Sequence, residues 1–368
     1  MKKLALIALT AAAINANAQL TMTALSTFSP NSDGWLAPAE GGYGFLGTGS
    51  LERGLAFGNG ELYLVSRAGG NFIRRLDAST GADLGALNTT GITGGTFGVN
   101  KVAVAADGKI YVANLQGAMG AAAPFKVYSY ANNAAAPVVA YSGNALTGAR
   151  LGDSTLAVTG SGSATRLVSG FAAAPAIAGN NGYAVIDPTT GTSTTVGFVG
   201  TPPVAGDFRL GVTIGPGGQV WGIQGNQTLR ETSFSGTSGT LLGTATGIFS
   251  IAERPMAFAT INGLNVLATI STGDSFVRVY DASNPLALVL LASKNNTSGV
   301  LTANGNATGD VAWGAVTDNG DGTSSAKLYT LSSNQGIQAF SVLVPEPGTG
   351  ALLGLGLSAL IALRRNRK

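Results

Sequence analysis

The chain of 368 residues contains neither histidine nor cysteine. Without histidine it lacks the side chain that most often serves as a neutral-pH general base and as a metal ligand. Without cysteine it can form no disulfide, no thiolate metal site and no thiol nucleophile. Any chemistry would come from carboxylates, Tyr, Ser, Thr, Lys or Arg, and we predict no cofactor.

Charged residues are also scarce, at 11%, and aromatic residues make up only 7% of the chain. No interior segment is a basic run, so we expect no nucleic-acid partner. The sequence has no G-x-S-x-G elbow with triad partners, no Walker loop and no Rossmann fingerprint between a strand and a helix. We therefore predict a protein that is not an enzyme. Glycine (55 residues) and apolar residues (45%) are abundant, which favours a tightly turned fold with a sizeable core.

The first 18 residues predict a secretory signal peptide. Two lysines precede the uncharged, mostly apolar segment 4–14, which is too short to span a bilayer. Ala16 and Ala18 then form an A-x-A cleavage site. We expect signal peptidase to cleave after Ala18 during secretion, so that the exported chain begins at Gln19.

The C-terminal segment 344–368 predicts a membrane anchor. Pro345 and Pro347 flank Glu346 and cannot continue a helix. Residues 348–363 carry no charge and, as a helix, would measure roughly 24 Å, a little less than the hydrocarbon core. A cationic end follows, which would stay in the cytoplasm and leave residues 19–343 outside.

This tail resembles the PEP-CTERM sorting signal of Gram-negative bacteria. The matching residues are Val344-Pro345-Glu346-Pro347, the apolar stretch 348–363, and Arg364-Arg365-Asn366-Arg367-Lys368. The resemblance implies processing by exosortase near the Pro-Glu-Pro motif, after transient anchoring in the inner membrane. It also implies a final place at the cell surface or outside the cell, alongside exopolysaccharide. A plain C-terminal anchor is the alternative.

The interior repeats short apolar runs separated by glycine-containing turns. Asn-Gly and Asp-Gly steps between apolar runs indicate hairpins, because type I′ turns need positive φ at both central residues. Such steps occur at Asn59, Asp107, Asn262 and Asn319. Pro124 and Pro137 interrupt the Ala-rich stretch 121–137, so residues 125–130 are better read as a strand.

The repeats favour a β-propeller. We place the start of each first strand near Arg53, Lys101, Arg150, Arg209, Arg254 and Asp310, at intervals of 45 to 59 residues. A period near 50 with three or four strands per unit is typical of propeller blades. We therefore predict that residues 19–343 form an all-β propeller of six blades; seven blades, a β-sandwich and a parallel β-helix are the alternatives.

The last repeat offers only three strands. We expect residues 20–28 to supply the fourth and to close the ring between the two ends of the chain. The stretch from Arg53 to Gly170 also resembles a poorly characterised exported family of unknown function. The segments that carry this resemblance are 53–57, 91–97, 110–115, 125–128 and 150–154. That resemblance supports the fold and implies no activity.

Charged residues stand at the entrances of the predicted first strands. Five are cations and one is an acid: Arg53, Lys101, Arg150, Arg209, Arg254 and Asp310. In a propeller the first strand of each blade is innermost, so these residues would surround one mouth of the central channel. Two interpretations stay open: a site for an anionic or hydroxyl-rich ligand such as a sugar chain, to which arginine is suited, and a structural ring of salt bridges.

The segment Asp318-Asn319-Gly320-Asp321-Gly322-Thr323 could partly surround Ca²⁺ through Asp318 and Asp321. A plain hairpin turn is the favoured interpretation, because Asp-Gly forms turns elsewhere in the chain. We therefore predict no metal site.

Taken together, the sequence predicts an exported structural or carbohydrate-binding scaffold associated with exopolysaccharide. The alternative is a carbohydrate-active hydrolase or lyase, since two carboxylates suffice for glycoside hydrolysis. Its candidate carboxylates near the mouth are Asp153, Asp207, Glu253 and Asp310.

Overall fold

A computed structural model describes residues 20–346, except 201–202, 225–227, 251 and 300. This part of the chain contains 25 strands and three single-turn 3₁₀ helices, Glu40–Gly42, Gly162–Ala164 and Pro216–Gly218. The all-β prediction is thus confirmed. None of the helices in these residues has the length and apolar character needed to cross a membrane. The predicted signal peptide (1–18) and membrane helix (348–363) lie outside the described residues.

Two short strands precede two four-stranded antiparallel sheets. The short strands are β1 (Thr21–Ala24) and β2 (Trp35–Leu36). The first sheet contains β3 (Glu52–Gly58), β4 (Glu61–Ser66), β5 (Phe72–Asp77) and β6 (Asp83–Ala86). The second contains β7 (Phe97–Val104), β8 (Ile110–Leu115), β9 (Phe125–Tyr130) and β10 (Val138–Gly143). Strand β9 coincides with the strand predicted over 125–130.

The next eight strands form one sheet. Its first half contains β11 (Ala157–Thr159), β12 (Arg166–Gly170), β13 (Tyr183–Asp187) and β14 (Thr192–Phe198). Its second half contains β15 (Gly211–Ile214), β16 (Val220–Ile223), β17 (Thr228–Ser235) and β18 (Ser238–Thr246). The halves are joined by parallel pairing of β14 with β18. Since β11 and β15 also contact each other, this sheet nearly closes into a barrel.

Two sheets complete the domain. One contains β19 (Glu253–Ile261), β20 (Leu264–Ser271), β21 (Val277–Asp281) and β22 (Val289–Lys294). The other contains β23 (Gly309–Asp318), β24 (Thr323–Ser332) and β25 (Gly336–Pro345). Strand β1 pairs antiparallel with β25, with Thr21 opposite Leu343 and Ala24 opposite Phe340. The predicted closure by a strand from residues 20–28 is therefore confirmed.

The first strands of the successive four-strand units stand side by side. In chain order, β3 contacts β7, β7 contacts β11, and the series continues through β15, β19 and β23 back to β3. A Cβ on Gly54 would meet the backbone of Lys101 at 3.0 Å and one on Gly58 would meet Val104, so β3 and β7 run in the same direction. Gly211 and Thr213 of β15 meet Arg254 and Phe258 of β19 in the same order. Hydrophobic clusters fill the spaces between neighbouring sheets. The arrangement is propeller-like.

A triplet of large, small and large residues repeats along the first strands and lines a central cavity of about 260 Å³. The triplets are Leu55-Ala56-Phe57, Val102-Ala103-Val104, Leu156-Ala157-Val158, Val212-Thr213-Ile214, Met256-Ala257-Phe258 and Val311-Ala312-Trp313. Small residues at the middle position let neighbouring strands approach each other closely around the cavity.

The first strand of the third four-strand unit, β11, begins later than predicted. We expected it near Arg150, but β11 starts at Ala157. The preceding segment is held elsewhere: Leu151 forms a bridge with Gln116, and the amide of Asn100 donates to the carbonyls of Gly152 and Asp153, each at 2.6 Å. Residues 151–153 are therefore held against β7 and the residue after β8 before the strand begins.

Candidate functional site

The charged residues at the strand entrances lie at one end of the cavity, as the parallel arrangement of the first strands requires. They fall into two groups. Lys101 is fully buried inside the ring of strands and Asp310 is half-buried there, whereas the arginines surround its mouth.

Lys101 and Asp310 form a buried ion pair. The Lys101 ammonium donates to Asp310 Oδ2 at 2.6 Å and to the carbonyls of Arg53 and Gly309 at 3.1 Å each. The Lys101 side chain is fully buried, and burial raises the pKa of Asp310 despite the nearby ammonium. Because these contacts join β7, β3 and β23, two of the six residues predicted to surround the mouth hold the ring of strands together.

Asp153 binds two arginines at the mouth. Its Oδ1 accepts from Arg150 Nη2 at 2.7 Å, and its Oδ2 accepts from Arg209 Nε at 2.5 Å. Burial alone would raise the pKa of Asp153, but the hydrogen bonds and charges of the two arginines hold it below its ordinary value. Asp153 is thus an ionised carboxylate shared between two guanidinium groups.

Arg53 lies next along the mouth, accompanied by Arg67, which the sequence did not single out. Arg53 Nη1 donates to Thr308 Oγ1 at 2.7 Å, and Arg67 Nη2 donates to the Ser50 carbonyl at 3.3 Å. The guanidinium carbon of Arg67 lies 3.5 Å from the centre of the Phe97 ring. Burial, reinforced by the charge of Arg53, lowers the pKa of Arg67 to about 10. Neither arginine forms an ion pair with a described residue.

Arg254 is the fifth arginine near the mouth and lies next to Arg209. Burial lowers the pKa of Arg254, and the neighbouring Arg209 lowers it further. We call the five residues Arg67, Arg53, Arg150, Arg209 and Arg254 the arginine arc. Arg150 and Arg209 share Asp153, while the charge of Arg150 lowers the pKa of Arg53, that of Arg53 lowers the pKa of Arg67, and that of Arg209 lowers the pKa of Arg254. The five arginines therefore lie close together.

Glu52 is a second carboxyl group beside the arc. The Gly47 amide donates to its Oε1 at 2.8 Å, whereas its buried Oε2 accepts no hydrogen bond from any described residue. Burial raises the pKa of Glu52 above its ordinary value. The charge of Glu52 opposes the fall in the pKa of Arg53 and Arg67 without cancelling it.

The remaining carboxylates considered for hydrolysis are engaged in local networks. Asp207 accepts from Arg230 Nε at 2.8 Å and from the Val204 amide at 2.9 Å. Glu253 accepts from the Tyr280 hydroxyl at 2.8 Å and from Arg278 Nη1 at 3.1 Å. Since Asp153 and Asp310 are also ion-paired, all four candidate carboxylates already have cationic partners.

The segment considered for Ca²⁺ forms the hairpin turn between β23 and β24. Asp318 Oδ1 accepts from the Gly320 amide at 2.8 Å, and Asp321 Oδ1 accepts from the Thr323 amide at 2.9 Å. Within the described ranges no cluster of three or more acidic residues could hold a metal ion. The turn interpretation agrees with these contacts.

The sorting motif begins inside the last sheet. Val344 and Pro345 belong to β25, opposite Ser324 and Thr323, and the Glu346 amide donates to the Gly322 carbonyl at 2.8 Å. The other residues predicted for processing, Pro347, Arg364, Arg365, Ala16 and Ala18, lie outside the described residues.

Comparison with known families gives two matches. Residues 37–198 match a family described as a domain of unknown function, DUF4623, and residues 343–368 match the PEP-CTERM protein-sorting motif. No curated protein matches the chain.

Solved structures show a related fold. A DUF4623 family protein from Bacteroides eggerthii is similar over 88% of this chain and 75% of its own, with 16% identity and a TM-score of 0.59. The major allergen Mala s 1 of Malassezia sympodialis covers 79% of this chain and 91% of its own, with 11% identity and a TM-score of 0.48. A protein of unknown function from Dyadobacter fermentans covers 80% and 95%, with 12% identity and a TM-score of 0.48. At 16% identity, the similarity to the first of these structures concerns the fold alone and carries no statement about function.

Proposed function

We propose that this chain, whose residues 37–198 match the DUF4623 family of unknown function and whose C-terminus carries a PEP-CTERM sorting motif, is an exported polysaccharide-binding scaffold. In this proposal, signal peptidase removes residues 1–18 after secretion across the inner membrane of a Gram-negative bacterium. Exosortase then processes the tail, and residues 19–343 remain at the cell surface or in the extracellular matrix with exopolysaccharide.

The binding unit in this proposal is a six-bladed propeller. The closed series of contacts from β3 through β7, β11, β15, β19 and β23 back to β3 supports that number. The repeated large-small-large triplet, found once in each of these strands, supports it as well. The eight-stranded sheet then represents two blades that are joined at β14 and β18.

The observation that carries the proposed binding role is the arginine arc. Five guanidinium groups share one mouth with Asp153 and Glu52, and an anionic ligand would relieve the repulsion among them. An unbalanced cationic site also draws anions from solution and holds them by charge-assisted hydrogen bonds.

The position of the chain ends supports the same role. Strand β23 starts near the mouth at Gly309, β24 returns to Ser332, and β25 runs away again to Pro345. Strand β1 begins beside the end of β25, with Thr21 opposite Leu343. Both ends of the described chain thus lie opposite the mouth, and a domain tethered through residues beyond 346 would present the arc outward.

A scaffold is favoured over a hydrolase because of the state of the carboxylates. General acid catalysis on a glycosidic bond needs one carboxyl that is protonated near neutral pH and a second that is ionised and free to act. Asp153, Asp207 and Glu253 each form an ion pair with an arginine, and Asp310 forms one with Lys101.

A glycan array combined with a reducing-end release assay tests the proposal. We expect the full-length chain to bind one or more polysaccharides and to release no reducing ends from them. Release of reducing ends would support the hydrolase instead. If the chain binds no polysaccharide, the scaffold proposal fails and the propeller is a spacer.

A further inference from the structure

The arginine arc contains two neighbouring pairs that differ in one respect. Arg150 and Arg209 hold the carboxylate of Asp153 between them, one oxygen on each guanidinium group, at 2.7 and 2.5 Å. Arg53 and Arg67 directly follow Glu52 and Ser66, which face each other on β3 and β4, and the charge of Arg53 lowers the pKa of Arg67. Neither arginine forms an ion pair with a described residue. Asp153 thus shows how two arginines at this mouth bind a carboxylate, and Arg53 and Arg67 lie beside them.

We propose that Arg53 and Arg67 form a subsite for the carboxylate of an acidic sugar unit, so that the polysaccharide recognised at this mouth is a polyuronate. This assignment rests on the proposed function and narrows its ligand class. Asp153 serves as the internal example of the contact, because carboxylates match the planar fork of arginine and bridge adjacent guanidinium groups.

The fixed position of Arg67 supports a preformed subsite. Its guanidinium group is stacked on Phe97 and donates to the Ser50 carbonyl, so little side-chain entropy remains to be lost on binding. Arg53 is likewise oriented by its hydrogen bond to Thr308. Two oriented guanidinium groups without a carboxylate of their own are a suitable receptor for one supplied by a ligand.

The surroundings suit a sugar ring better than a bare inorganic anion. Phe97 is 42% exposed although Arg67 covers one side of its ring, so an apolar surface lies next to the cations. Polar groups lie nearby: the Asn304 side chain hydrogen-bonds with the backbone of Thr308, and the Asn334 side chain donates to Ser50 Oγ. Such groups can exchange hydrogen bonds with sugar hydroxyls.

Isothermal titration with oligogalacturonate tests the subsite, with the fully methyl-esterified oligomer as the matched ligand in which every carboxylate is capped. We expect the full-length chain to bind the acid form and to bind the ester at least about tenfold more weakly. Arg53→Gln and Arg67→Gln should each weaken binding of the acid form about tenfold or more. The affinity of the wild-type chain should also fall as salt is added.

Arg166→Gln is the matched control variant. Arg166 pairs with Asp187 at the start of β12, at the end of the sheet away from the mouth. We expect its binding to equal that of the wild type. If a glutamine variant does not fold, Arg53→Lys and Arg67→Lys decide the question, since lysine keeps the charge and loses the fork. We expect each to weaken binding several-fold.

The outcomes separate this subsite from the broader proposal. Equal binding of acid and ester forms, or full affinity in folded Arg53 and Arg67 variants, overturns the subsite while a polysaccharide-binding scaffold stands. Displacement of the oligomer by inorganic phosphate at an equal concentration of anionic groups would show a general anion site and also overturns it. If no polysaccharide on the array binds, the proposed function and the subsite fail together.

Discussion

Replacing Lys101 with methionine removes one half of the buried pair that joins β7 to β23. Methionine fills most of the volume of the lysine stem but leaves the Asp310 carboxylate without its ammonium partner. Breaking a buried ion pair on one side costs about 3–5 kcal/mol, because an uncompensated charge stays in the interior. The Asp310 side chain, which keeps the charge, is only 21% exposed, so solvent offsets only part of this cost.

The pH dependence of this variant identifies the cause. Burial already raises the folded-state pKa of Asp310, and Lys101 is the largest influence that opposes this rise. Without Lys101 the folded-state pKa of Asp310 rises further above the pKa that Asp310 has in the unfolded chain. Protonation therefore stabilises the variant below the unfolded pKa of aspartate, and this stabilisation is lost as the pH rises through the folded-state pKa.

Urea unfolding followed by tryptophan fluorescence measures both effects, since Trp221 is fully buried. We expect Lys101→Met to lose about 3–5 kcal/mol at pH 7 and less at pH 4.5. The double variant Lys101→Met/Asp310→Leu should recover most of the loss and show no such pH dependence. A single variant within about 1 kcal/mol of the wild type at pH 7, or a loss that the second substitution does not reduce, would refute the reasoning.

Three further substitutions examine other parts of the molecule. Asp153→Asn removes the carboxylate between two arginines that are about one-third exposed, so we expect a loss of about 1–3 kcal/mol in unfolding free energy. Oligogalacturonate should restore part of the melting temperature in a thermal-shift assay, and an unchanged melting temperature in the variant would contradict the charge argument. Thr23 and Ser341 face each other on β1 and β25, so replacing both with cysteine should introduce a disulfide into this cysteine-free chain. The disulfide should raise the melting temperature until reductant is added. Failure of the two cysteines to cross-link would contradict the strand closure. Gly211→Ala places a Cβ against the Arg254 carbonyl on β19 and should lower the unfolding free energy by about 1–3 kcal/mol or more. In the control variant Gly44→Ala the new Cβ has no atom within 4 Å, so its unfolding free energy should stay within about 0.5 kcal/mol of the wild type.

Much of the fold could be predicted from local sequence signals. Asn59 and Asn262 adopt the positive φ that their Asn-Gly steps indicated, and each lies in a hairpin between strands of one sheet. The N-terminal strand was predictable because the last repeat lacked a partner, and edge strands need to be paired or covered.

The start of the third first strand could not be predicted from spacing. The pairing of Leu151 with Gln116 and the hydrogen bonds from Asn100 are long-range contacts, and they draw residues 150–156 away from the strand. The large-small-large triplet would have located Leu156 correctly, because it recurs in every first strand. Its short length made it inconspicuous beside the hairpin signals.

The site was only partly predictable for a similar reason. Arg53, Arg150, Arg209 and Arg254 were found because they recur at strand entrances. Lys101 has the same spacing, but it pairs with Asp310 on β23, beyond the intervening strand β3. No local pattern reveals this long-range contact. Arg67 follows the end of β4 and reaches the mouth only through the fold.

Retention on exopolysaccharide tests the central claim most directly, namely that the arginine arc binds the matrix. The measurement compares the wild-type chain with the Arg53→Glu/Arg254→Glu variant on exopolysaccharide from a bacterium that exports this protein, with circular dichroism to show that both are folded. We predict that the wild type is retained and that the folded double variant elutes at least about tenfold more readily. Equal retention of the two proteins would contradict a ligand-binding role for the arc.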